Sequence, residues 1–180
     1  MKKLLPIGLI ICAIGLFYSF KTTDNVVDSQ DIAGKLKWYS WEEAVELNKT
    51  KPKKFIVDIY TDWCGWCKVM DKKTFTNAKV IELIEKNFYP VKLDAEQKED
   101  IKFQGTVFKY KGQGRRGANE LAIALLEGKM SFPSIVYLNE KLEKITVSPG
   151  YKKPDAMIKE LKFIGDNHYL TKKFNEFNGK

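Results

Sequence analysis

Residues 55–70 read FIVDIYTDWCGWCKVM. Phe55–Tyr60 is a short β-branched run, apolar except for Asp58, which is how a strand buried on both faces reads. The run ends in an aromatic turn, and Cys64 and Cys67 then open a helix that the pattern carries to about Phe75. Few chains can fold around such a unit. The strand needs helices over both faces, and two thiols are delivered together at the start of one of those helices.

Two thiols at this spacing form a redox device. The first lies near a helix N-terminus, where unpaired N–H groups and the macrodipole favour a thiolate. The second lies one turn in and is placed to attack a mixed disulfide formed by the first. Cys64 is therefore read as the nucleophile and Cys67 as the resolving thiol. A lone C-x-x-C also serves as half a metal site or as an inert structural disulfide. No second pair exists, and the only histidine, His168, is 101 residues beyond Cys67.

The rest of the body alternates helices and strands. Ser40-Trp41-Glu42-Glu43 is a capping box that starts a helix to about Lys49. Asn77 caps another, with Val80, Ile81 and Ile84 on one side. Phe88–Leu93 reads as a second strand, Ser134–Leu138 as a third after Pro133, and Lys144–Val147 as a fourth. Val107, Lys109 and Lys111 alternate with Phe108 and Tyr110, as in a half-exposed hairpin strand. Asn119–Glu127 reads as a helix stopped by Gly128. Pro154 starts a last amphipathic helix through Met157, Ile158, Leu161 and Ile164. Tyr169, Leu170, Phe174 and Phe177 suggest a helical tail over 166–180 packed on the body. The pattern gives an α/β fold, a central mixed sheet flanked by helices.

The N-terminus has a different character. Residues 4–20 hold no charge and follow Lys2 and Lys3. Seventeen uncharged residues are long for a signal core and short for a span. No good cleavage site follows, so residues 1–21 read as a signal or anchor segment, with the remainder outside the cytoplasm. Cys12 reads as a small apolar residue of that segment. Residues 22–37 are polar and unpatterned, a tether to a domain over 38–180.

Composition removes other classes. The chain of 180 residues carries a net charge of +8, and three of those charges flank the apolar segment. The remaining +5 falls short of a nucleic-acid-binding face. Three cysteines do not make a disulfide-dense scaffold. Gly112–Gly117 spells G-x-G-x-x-G, but the charged alternation before it is unlike the buried strand that a dinucleotide site requires. It reads as a loop with a solvated Arg115/Arg116 tip, and neither a cofactor nor a metal is expected.

Asp62, Trp63, Cys64, Trp66, Cys67, Lys68, Met70, Asp71, Thr74 and Phe75 together resemble the exported members of the thioredoxin family. The resemblance covers about residues 38–165. It implies a thioredoxin fold in which residues 96–118 are an insertion before the cis-proline strand. It further implies that Asp58 is a buried carboxylate exchanging a proton with Cys67, and that Lys92 is the lysine near it. A carboxylate inside an apolar strand has its pKa raised toward such a role on independent grounds. Pro133 matches the family's cis-proline. Phe132, Gly65, Trp63 and Trp66 would border the groove that takes the client, although ordinary core packing is the simpler account of Trp63. Trp66 stands where thioredoxin has proline, so the family's reduction potential does not transfer.

The function implied is thiol-disulfide exchange with client proteins or peptides in the periplasm, as a reductase re-reduced by a membrane electron donor. A chaperone-like binding module that uses the groove around Pro133 without redox turnover is the alternative.

Overall fold

The computed structural model describes residues 35–112 and 117–179. The anchor over 4–20, Cys12, most of the tether and the Arg115/Arg116 tip lie outside the described residues. Among the described residues, no helix is long and apolar enough to cross a membrane.

The core is a four-stranded sheet in the order β2-β1-β7-β8. β1 (Lys54–Tyr60) lies parallel to β2 (Phe88–Asp94) and antiparallel to β7 (Ser134–Leu138), which pairs antiparallel with β8 (Lys144–Pro149). The strand period of two sorts the core into two layers. Phe55, Val57 and Ile59, with Tyr89, Val91 and Leu93, pack against α1 (Trp41–Thr50) and α4 (Glu120–Leu125). Ile56, Phe88, Ile135 and Tyr137 pack on the other side against α2 (Gly65–Lys73), α3 (Ala78–Asn87) and α5 (Pro154–Gly165). Asp58, two residues on from Ile56, shares the α2 side. A sheet covered on both faces explains why β1 is buried along nearly its whole length.

Local signals set the helix starts. Ser40 accepts from the Glu43 N–H at 3.1 Å, and the Glu43 carboxylate accepts from the Ser40 N–H at 2.8 Å, so the capping box is complete. Asn77 caps α3 through the N–H groups of Lys79 and Val80. Asn119 caps α4 through that of Leu121.

Three segments depart from the sequence pattern. The strand expected over 107–111 is broken at Lys109. β3 (Ile101–Phe103) instead pairs with β4 (Thr106–Phe108), and β5 (Tyr110–Lys111) with β6 (Ala118–Asn119). Gln104 and Gly105, both at positive φ, make the tight turn between β3 and β4. The ends of this excursion are closed by the Asn119 N–H donating to Ala95 O at 2.7 Å. α2 stops at Lys73, two residues before the expected end. The tail is not one helix: it makes two single 3-10 turns, His168–Leu170 and Phe174–Glu176. Phe177 is buried there, whereas Leu170 and Phe174 are exposed. Asn167 at positive φ turns the chain out of α5 and interrupts the helical stripe.

Candidate active site

β1 ends at Tyr60, and the Cys64 N–H closes a turn onto Thr61 O at 3.1 Å. That turn sets Cys64 at the N-cap of α2, with Gly65 as the first helical residue. Cys64 and Cys67 are joined in a disulfide with Cα atoms 5.3 Å apart. The Cys67 N–H donates to Cys64 Sγ at 3.1 Å. The same N–H stabilises a Cys64 thiolate once the bond is reduced, as does the positive end of the helix. Both cysteines are nearly buried.

Six residues before Cys64 in the chain, Asp58 is fully buried, directly opposite Lys92 in the β1–β2 register. Lys92 Nζ donates to Asp58 Oδ2 at 2.7 Å. Asp58 Oδ1 is buried and has no hydrogen-bond partner among the described residues, which leaves it open to take a proton. Burial pushes the Asp58 carboxyl up to about 6, with the Lys92 ammonium pulling the other way. A base poised near neutrality suits proton transfer at physiological pH. Burial disfavours the Lys92 ammonium, but Asp58 and Asp71 more than offset this and raise its pKa. Lys92 also lies over the Tyr60 ring, 4.7 Å from its centroid.

The aromatic rim is exposed. Trp63 and Trp66 are 58% and 62% accessible, so core packing does not account for Trp63. Its indole N–H donates to Glu96 Oε1 at 3.0 Å, which holds the ring outward at the edge of the 96–118 segment. The Phe132–Pro133 bond is cis, and Pro133 O accepts from the Gly150 N–H at 2.8 Å. That contact brings Tyr151 beside the disulfide turn. Two aromatic pairs result: Trp63 on Phe132 at 5.9 Å and Trp66 on Tyr151 at 5.4 Å.

The structure thus brings together Cys64, Cys67, Trp63, Gly65 and Trp66 on one turn and helix start, and pairs Asp58 with Lys92. Phe132 joins the turn through its contact with Trp63. Sequence reasoning missed Tyr151, whose place depends on a long-range strand pairing. It also gave no role to Asp71, although the four-residue spacing from Cys67 put it one helical turn away.

Residues 26–163 match the family model Thioredox_DsbH, described as "Protein of unknown function, DUF255". Rat spermatogenesis-associated protein 20 is 31% identical over 65 residues, which is 36% of this chain and 8% of that protein. The matched segment therefore spans under a tenth of that relative's length. A putative disulphide-isomerase from Bacteroides thetaiotaomicron shares the fold with a TM-score of 0.52 at 21% identity, covering 78% of this chain and 98% of that one. A structure described as DsbH oxidoreductase shares it with a TM-score of 0.50 at 19% identity, covering 77% and 91%. With the fold, the cysteine pair and a family match over most of its length in agreement, this chain belongs to the DUF255 family of thioredoxin-like proteins.

Proposed function

We propose that the protein is a thiol-disulfide oxidoreductase that reduces disulfides of client proteins outside the cytoplasm. The observation that carries this is the Cys64–Cys67 disulfide at the start of α2, backed by a buried carboxylate of raised pKa.

In the reduced protein the Cys64 thiolate attacks one sulfur of a client disulfide. A mixed disulfide forms, and the client's other sulfur leaves as a thiolate that takes a proton from water. Cys67 then loses its proton to Asp58 and attacks Cys64 Sγ. The first client sulfur departs as a thiolate that takes a proton from water, and the Cys64–Cys67 bond closes. Two electrons have passed to the client, and the pair ends as the Cys64–Cys67 disulfide, the bond present in the structure. A dithiol donor at the membrane restores the pair. The basic, apolar start of the chain, Lys2 and Lys3 followed by residues 4–20, supports work outside the cytoplasm. The exposed Trp63 and Trp66 rim supports a peptide client rather than a small thiol.

The test is a trapping experiment. A Cys67→Ser protein incubated with a disulfide-bonded peptide accumulates a mixed disulfide on Cys64, visible by mass spectrometry, and a Cys64→Ser protein does not. Catalysis that survives with both cysteines replaced would sink the reading and favour a binding module. Equilibration against glutathione then fixes direction: a potential near −270 mV supports a reductase, and one near −120 mV an oxidant.

A further inference from the structure

Each turnover on the proposed reading requires Asp58 to take up a proton and then release it. Asp58 is wholly buried, and the side of the site that carries the disulfide is covered by the client while Cys67 resolves the mixed disulfide. The proton therefore needs a way out that the client does not block.

Lys92 is held by two carboxylates. Besides Asp58 it donates to Asp71 Oδ1 at 2.5 Å. Asp71 stands on α2 one turn beyond Cys67, and its side chain is 41% exposed. Asp71 and Lys92 line a groove of about 300 Å³ with Lys35, Leu36, Trp38, Phe75 and Thr76. That volume is far above the roughly 10–15 Å³ that one water requires. None of the rim residues Trp63, Trp66, Phe132, Pro133 and Tyr151 contributes to it. Trp38 and Phe75, packed edge to face at 4.8 Å, wall the groove. Lys92 Nζ lies 5.1 Å from the Trp38 ring centroid.

We propose that Asp71 is the outlet through which Asp58 exchanges its proton with solvent, by way of Lys92, into a groove that shares no residue with the client rim. The inference rests on the thiol-disulfide reading. The protonated Asp58 gives its proton to Lys92 as Lys92 passes one of its own to Asp71. Asp58 ends as a carboxylate, Lys92 as an ammonium again, and Asp71 as a carboxylic acid that ionises into groove water. Charge is conserved at every stage, and no other reactant is needed. The charged and titratable groups that face this path are Asp58 and Tyr60 on β1, Lys92 on β2, Asp71 on α2, and Lys35 at the groove mouth. Asp71 acts through Lys92 and touches neither sulfur, so it is a positioning residue.

The experiment is a single turnover of the reduced full chain with a disulfide peptide, in which the resolving phase is followed by tryptophan fluorescence. Asp71→Asn should slow that phase about tenfold, less than the roughly 10²–10⁴-fold that a group transferring a proton directly at the reacting atoms contributes, because Asp71 acts one step removed, through Lys92. The slowed rate should rise with imidazole concentration, because a small base enters the groove and replaces the lost carboxylate. Asp71→Glu should restore the rate without added base. Asp71→Ser reports the same effect where the Asn protein does not fold. A resolving phase unchanged by Asp71→Asn overturns the outlet alone. Slowing that neither imidazole nor Asp71→Glu reverses also overturns it, since Asp71 would then only brace Lys92. A wild-type chain with no resolving phase overturns the thiol-disulfide reading, and the outlet with it.

Discussion

Lys92 Nζ sits 2.7 Å from Asp58 Oδ2 across two parallel strands, yet the ion pair does not fully offset the burial of the carboxylate. The Asp58 pKa stands near 6 against an ordinary 3.8. Between those values the folded state binds more protons than the unfolded state, so stability falls as pH rises. The stabilisation is complete below about pH 4 and is lost as pH passes through about 6. A gap of this size corresponds to about 3 kcal/mol at most. Asp58→Asn is therefore expected to raise the thermal midpoint at pH 8 and to have little effect at pH 4, while it slows resolution of the mixed disulfide. Thermal melts across that range check it, and a stability difference that does not change with pH would count against the burial argument.

Gly165, the last residue of α5, tests packing against propensity. A Cβ built there would lie 2.5 Å from Asn87 Nδ2 and 3.1 Å from its Cγ. Helix propensity alone favours alanine over glycine by about 0.8–1 kcal/mol. Overpacking of a close crossing costs about 1–3 kcal/mol. Turning the Asn87 amide aside leaves its Cβ 3.2 Å from the new methyl, so the contact outweighs the propensity, and Gly165→Ala should destabilise the protein by about 1 kcal/mol in urea unfolding. A stabilised variant would mean that Asn87 swings aside freely.

Ser40 anchors α1, and through it Trp41, which is buried against Phe55 and Phe103. Ser40→Ala removes the acceptor for the Glu43 N–H and should cost about 1 kcal/mol. Thr at the same position should retain most of it, and comparing the two by denaturant midpoint separates capping from side-chain volume.

What the sequence made legible was local. The capping box at Ser40, the buried β1 run and the thiol pair at a helix start are each written in adjacent residues, and each stands in the structure as read. Asp58 was legible because a carboxylate inside an apolar strand has few explanations. The misreadings came from tertiary contacts. Trp63 looks like a core residue until Glu96, 33 positions on, is seen to hold its indole outward. Leu170 and Phe174 looked like one face of a tail helix, but the positive φ of Asn167 ends that register. Tyr151 carries no local mark of function. It reaches Trp66 only because β8 ends alongside Pro133.

Trp66 and Tyr151 make the last prediction. Trp66 is 62% exposed, so Trp66→Ala removes little buried surface and should change stability by no more than about 0.5 kcal/mol. On the proposed reading the same side chain contacts the client beside its disulfide. Loss of one aromatic contact of about 1 kcal/mol should raise KM for a peptide with an aromatic residue next to its cysteine about fivefold. Trp66 touches no proton on the path from Cys67 to Asp58, so kcat for that peptide should fall far less than KM rises. Tyr151→Ala should act in the same direction, and more weakly, because it removes the partner and leaves the indole. The two losses should be less than additive in the double variant, since the rings pack as a pair. Steady-state kinetics with peptides that differ only at that flanking residue give the answer. Equal KM values for wild type and Trp66→Ala on the aromatic peptide would remove Trp66 from the client groove.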